Sequence, residues 1–300
     1  MVFLGAFAAS VAIYFLLIGN PDFLILKNKV YKDYATGFFI SRTVSSCFLT
    51  LCFFSGIEYL KMIDHYQKNN TDTFFNKIYV RIFLLLITIA IITTFSKLGN
   101  FLFISLIIMY ISQALYTNDK KNRFFLITLI LIVLFDVLIL GFYFGSEKLL
   151  QRYSFLQNEI NEYLPSSAQS ILSRADITKF AFIEFKKFIF FGYGGGGFEY
   201  LFKINYQNSS TNFASHAHSD FLEFIGEFGL IGSTFISLSL LLTCANKKFF
   251  SFKNFLLCYL LIFIIIFDFS FHIPIIQFLF ILLLSVSYKQ SNNFEYKFND

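Results

Sequence analysis

Long apolar runs separated by short polar segments set the pattern of this chain. A hydrocarbon core about 30 Å thick asks for roughly 20 apolar residues in an α-helix, because every backbone amide must find its partner within the segment. About eight runs approach that length, near residues 2–18, 37–60, 78–95, 98–115, 124–144, 221–243, 253–269 and 273–288. The last two form a tight hairpin broken between Asp268 and Pro274. The pattern predicts an all-α fold, a polytopic membrane helix bundle. Between the fifth and sixth runs the composition turns soluble-like, over a stretch too long for a simple turn. The predicted organisation is membrane spans over 1–144, a large partly helical external loop over 145–220, and further spans with a short cytoplasmic tail over 221–300.

Basic residues in short loops stay cytoplasmic, and three loops agree. Lys61, Lys68 and Lys77 precede the third run, Lys120, Lys121 and Arg123 precede the fifth, and Lys247, Lys248 and Lys253 follow the sixth. With both termini inside, the 145–219 segment lies outside. Lys27, Lys29 and Lys32 dissent, falling in the first external loop. The first run has no basic residue ahead of it, so it reads as a retained span rather than a signal peptide.

Composition sharpens this picture. Of 300 residues 56% are hydrophobic and only 14% charged, with 46 Phe, 17 Tyr and no Trp. An ordinary soluble domain carries about a quarter charged residues. A net charge of +5 is too small for a nucleic-acid binder, which concentrates Lys and Arg on one face. Cys47, Cys52, Cys244 and Cys258 all fall inside apolar runs and read as small core residues, not a disulfide framework.

Candidate chemistry gathers in the external loop. Ser173 to Phe191 reads as a helix on or dipping into the outer leaflet, with Ser173 and Asp176 at capping-box spacing. Gly192-Tyr193-Gly194-Gly195-Gly196-Gly197 follows. Gly194 and Gly196 would permit close backbone approach to a large substrate, or the run acts as a hinge. Then come His216-Ala217-His218-Ser219-Asp220 and, on the next span, Glu223 and Glu227, four apart on one helical face. Carboxylates within a span are costly unless partnered, so these two point into the bundle or meet headgroups. An imidazole at the water boundary suits proton abstraction from an alcohol. A metal is not expected: His216 and His218 lack a third ligand at recognisable spacing, since His65 and His272 are far away in sequence. Arg42 inside the second run, Lys97 in a short external turn and Arg174 at the surface helix are isolated cations. Each alone suits a headgroup; together, near a histidine, they suit a diphosphate.

Arg174, the glycine run, His216 to Glu223 and Glu227-Phe228-Gly229-Leu230-Ile231-Gly232 together resemble the O-antigen ligase family, which also holds O-antigen polymerases and protein O-oligosaccharyltransferases. Gly37 to Arg42 and Thr94 to Lys97 look like two earlier segments of that family. The resemblance covers roughly residues 37–288 and is most specific over 174–232. Ser219 stands where Asn is usual and Lys97 where Arg is usual. The chain has about eight spans where the family has ten to twelve, the missing ones N-terminal. The resemblance implies a bacterial inner-membrane glycosyltransferase acting on the periplasmic face without metal or other cofactor. It would move a glycan from undecaprenyl diphosphate to lipid A core or another glycan acceptor. His218 would be the base and Arg174, Lys97 and Arg42 would stabilise the leaving diphosphate. Glu227 would support the site, with His216, Gly194, Gly196 and Asp220 beside the substrate. The partners implied are the donor, the acceptor and membrane lipids, with no nucleic acid. The alternatives are a polysaccharide polymerase, a transporter or flippase, and an inactive relative in an assembly.

Overall fold

A computed structural model describes residues 1–19, 34–66, 71–117, 130–131, 134, 174–206, 214–244 and 251–296. Helices account for all the regular structure among these residues: α1 (Val2–Leu17), α2 (Arg42–Tyr66), α3 (Thr71–Thr93), α4 (Lys97–Thr117), α5 (Arg174–Lys187), α6 (Phe198–Asn205), α7 (Asp220–Cys244), α8 (Phe252–Phe267), the short 3-10 turn Ser270–His272, and α9 (Pro274–Tyr296). The chain is an all-α membrane protein. Four described helices have the length and hydropathy to cross a membrane, over Arg42–Ile63, Thr71–Thr93, Lys97–Tyr116 and Asp220–Leu240, with shorter apolar helices at Val2–Leu17, Phe252–Phe267 and Pro274–Ser287. The expected 124–144 span lies almost wholly outside the described residues, as do Lys27, Lys29, Lys32 and Ser173.

The chain divides into two compact units, Met1–Leu156 and Gln157–Asp300. In the first, α2 is the central helix, packed on α1, α3 and α4. Its span is 83% buried against 33% for α3, whose other face is uncovered among the described residues. Small residues let the backbones close up, as membrane helices without a hydrophobic drive between them require. A Cβ on Gly5 would lie 2.5 Å from Cys52 Cβ, and one on Gly99 only 1.9 Å from Ser46 Oγ. The latter contact sets the first turns of α2 and α4 side by side. Arg42 is the first residue of α2 rather than a residue inside it, because Gly37, at φ 57°, turns the chain first. Its guanidinium stands 5.0 Å over the Tyr34 ring. Ser96 Oγ caps α4 by accepting from Gly99 N at 3.3 Å.

In the second unit α5 packs on α7, α7 on α8, and α8 on α9. A small core of Ile177, Phe180, Ala181, Phe198, Phe202, Ala214 and Ala217 joins α5, α6 and the turn before α7. The α5 helix is therefore a packed element with an apolar outer face, Phe182 and Ile183, not a surface strip alone. Sequence pattern gave no hint of α6 until Phe198 and Phe202, four apart, are set beside the Glu199 and Lys203 pair at 2.6 Å on the same spacing.

Candidate active site

The glycine run and the Glu227–Gly232 stretch are two halves of one backbone junction. At Gly229 α7 takes φ 64° and ψ −178°, a conformation open essentially to glycine alone. The helical bonds that Leu230 and Ile231 would have made to Gly226 and Glu227 are exchanged. Leu230 N donates to Ile189 O at 2.8 Å and Ile231 N to Phe190 O at 3.1 Å, while Tyr193 N donates to Gly226 O at 2.9 Å and Gly194 N to Glu227 O at 3.1 Å. The Glu227 side chain adds a fifth tie, its Oε1 accepting from Gly196 N at 2.7 Å. Contact this close excludes side chains. A Cβ on Gly192 would fall 2.2 Å from Glu227 O, and one on Gly229 2.3 Å from Phe190 O. The Gly194 and Gly196 amides are thus engaged by residue 227, while their α-carbons face open space.

A cluster of histidines and carboxylates sits at the start of α7. Ser219 caps the helix, accepting from Leu222 N at 3.4 Å and donating to Ile266 O at 2.8 Å. Asn could serve the same cap, so this departure from the family's pattern leaves the helix start intact. Glu223, 3% exposed, accepts from Ala217 N at 2.9 Å through Oε2, and its Oε1 lies 3.2 Å from His216 Nδ1 and 3.5 Å from His272 Nε2. Asp220, 5% exposed, holds His272 Nδ1 with one oxygen and Phe271 N, at 2.9 Å, with the other. Both its oxygens are therefore engaged by protein. His272 is pushed up from its ordinary value, first by the Asp220 bond and against burial, with Glu223 and Glu227 adding to the rise. Phe269 stacks on His216 at 5.7 Å and meets the His218 ring edge-on at 5.1 Å.

His218 itself has φ 55°, a backbone strain that histidine tolerates better than most residues. Among the described residues, the other non-glycine position at positive φ is Phe95, at 48°, two residues before Lys97. Lys97 is exposed on the first turn of α4 and, with Arg42, belongs to the first unit. Arg174 opens α5 in the second unit, with its side chain outside the described residues.

His272 was missed in the sequence because it lies 52 residues from Asp220. Strand-counting logic applied to helices could have found it: α7 leads away from the cluster and α8 returns, so the α8–α9 turn lands beside the start of α7. Asp220 N donating to Asp268 O at 3.1 Å records that return. Tyr193 was also missed. Its hydroxyl is buried with no hydrogen-bond partner among the described residues, beside Gly226, where a Cβ would come within 2.5 Å of it.

A family model described as O-antigen ligase matches residues 82–237, just over half of the chain. The match takes in Lys97, Arg174, the glycine junction, His216, His218, Asp220, Glu223 and Glu227, and ends before His272. No curated protein and no solved structure matches.

Proposed function

Because the chain belongs to the O-antigen ligase family, we propose that it transfers a glycan from a lipid-diphosphate donor to an acceptor hydroxyl, with lipid A core as acceptor, at the periplasmic face of the bacterial inner membrane. In this reading His218 takes the acceptor's proton as the oxygen attacks the anomeric carbon. Arg174 stabilises the diphosphate as it leaves, where fixed cations lower the barrier most. Lys97 and Arg42, which belong to the first unit, stay expectations of residue type and family pattern and carry no step here. Glu227 acts by holding the glycine junction, and Asp220 is a positioning residue for His272 rather than a substrate contact.

The observation that carries the reading is His218 itself. A strained, half-buried imidazole at the mouth of a span, its ring set edge-on to Phe269, has the features of a held catalytic base. A transporter would call for broken helices. The α7 break is one, but the four backbone groups it frees are engaged by residues 189–194, leaving none of them to coordinate cargo. A polymerase shares the donor and differs in acceptor. Purified protein given a synthetic undecaprenyl-diphosphate glycan separates these cases. Transfer to lipid A core supports the ligase; elongation of the lipid-linked glycan replaces it with the polymerase; no transfer to either overturns glycosyl transfer.

A further inference from the structure

The fold supplies what the sequence lacked, two further ligands beside His216. Ligand atoms of His216, Glu223 and His272 all lie within 4.8 Å of one another. A tetrahedral zinc ion, with bonds of about 2.0–2.2 Å, spaces its ligand atoms about 3.3–3.6 Å apart. Glu223 Oε1 lies 3.2 Å from His216 Nδ1 and 3.5 Å from His272 Nε2, so two of the three separations fall in that window or within about 0.1 Å of it. Both imidazoles converge on one carboxylate oxygen. The other oxygen is taken by Ala217 N, which leaves Glu223 to bind through Oε1 alone.

Each ligand is also oriented from behind. Asp220 holds His272 Nδ1, which fixes the tautomer that leaves Nε2 with a lone pair toward Glu223. A carboxylate, a histidine and then a metal is the usual outer arrangement of zinc sites. Asp220 is held in turn by Phe271 N, and Phe269 sets the plane of His216 by stacking at 10°. Charge points the same way. Asp220 and Glu223 are two buried carboxylates, and one divalent cation neutralises both. The imidazoles, with side chains 38% and 37% exposed, give an entry path, while the carboxylates stay covered.

From this geometry we infer that His216 Nδ1, Glu223 Oε1 and His272 Nε2 bind one zinc-class divalent ion, with Asp220 as the outer carboxylate. The inference goes beyond glycosyl transfer and does not depend on it. Three protein ligands leave a fourth position for water on the exposed side of the rings. The ion clamps the turn before α7 to the turn between α8 and α9. His218 is outside the ligand set.

The test uses full-length protein in detergent, carrying a histidine-free tag and stripped with chelator. Titration with zinc chloride, followed by calorimetry, is expected to show one ion per chain. Glu223→Gln and His272→Asn should each weaken binding at least about 100-fold, and Asp220→Asn about 10–100-fold. His65→Asn, on α2, should leave it unchanged. Cobalt chloride added to the wild-type protein should give the strong visible absorption of a four- or five-coordinate ion, a readout that needs no variant to fold. Absence of saturable one-to-one binding, a weak six-coordinate cobalt spectrum, or equal affinity in Glu223→Gln and His272→Asn would overturn the site and leave a cluster held by protons alone.

Discussion

Replacing Gly229 by alanine strikes the junction at its tightest point. Two costs add. The residue would hold a backbone conformation that costs about 1–3 kcal/mol without glycine. Its Cβ would fall 2.3 Å from Phe190 O and 2.5 Å from Gly192 N, so the 189–192 strip must move away. That breaks the Leu230 and Ile231 bonds to Ile189 and Phe190, each contributing about 0.5–1.5 kcal/mol net. The sum is about 2–6 kcal/mol. Gly194→Ala is the control for strain alone: φ is 93°, but nothing lies within 4 Å of its Cβ, so about 1–2 kcal/mol is expected. Gly195→Ala, with open space and no positive φ, should be nearly neutral. Thermal unfolding in detergent, with limited proteolysis over 187–198, reads all three. If Gly229→Ala unfolds no earlier than Gly195→Ala, the exchanged-bond junction is wrong.

Other expectations follow from the same contacts. Asp220→Ala strips the acceptor from His272 and from Phe271 N and should cost about 1–3 kcal/mol in unfolding measurements; unchanged stability with a raised KM for donor would instead make Asp220 a substrate contact. Phe180→Ala empties the centre of the α5–α6 core, where the ring meets Phe198, Phe202 and Tyr206, and should lower stability by about 3–5 kcal/mol. Tyr193→Phe removes a buried hydroxyl that has no hydrogen-bond partner among the described residues, so unfolding should shift by less than about 1 kcal/mol or improve. Burial, then Glu227, Glu223 and Glu184, push the Tyr193 phenol well up, so it stays neutral through the working range and Tyr193→Phe should leave the alkaline limb of the pH–rate profile in place.

The described apolar helices were legible because membrane burial writes itself as long apolar runs, and the α8–α9 break was legible from Asp268 and Pro274. Helix edges were less so: Arg42 moved from inside a span to its first turn because the positive φ of Gly37 is a backbone property that hydropathy does not carry. His216, His218 and Glu223 could be seen as neighbours along the chain. Their connection to His272 could not, since it depends on two turns meeting at one end of α7 and α8. The glycine motifs were visible as motifs but not as partners, because the bonds joining residues 189–194 to 226–231 run between backbones and leave no side-chain signature.

Whether His218 is the base in glycan transfer is read from the initial rate of purified His218→Ala with a synthetic lipid-diphosphate glycan and its acceptor, in protein whose unfolding matches wild type. Loss of the base should lower that rate by about 10²–10⁴-fold. A rate within about twofold of wild type would contradict it.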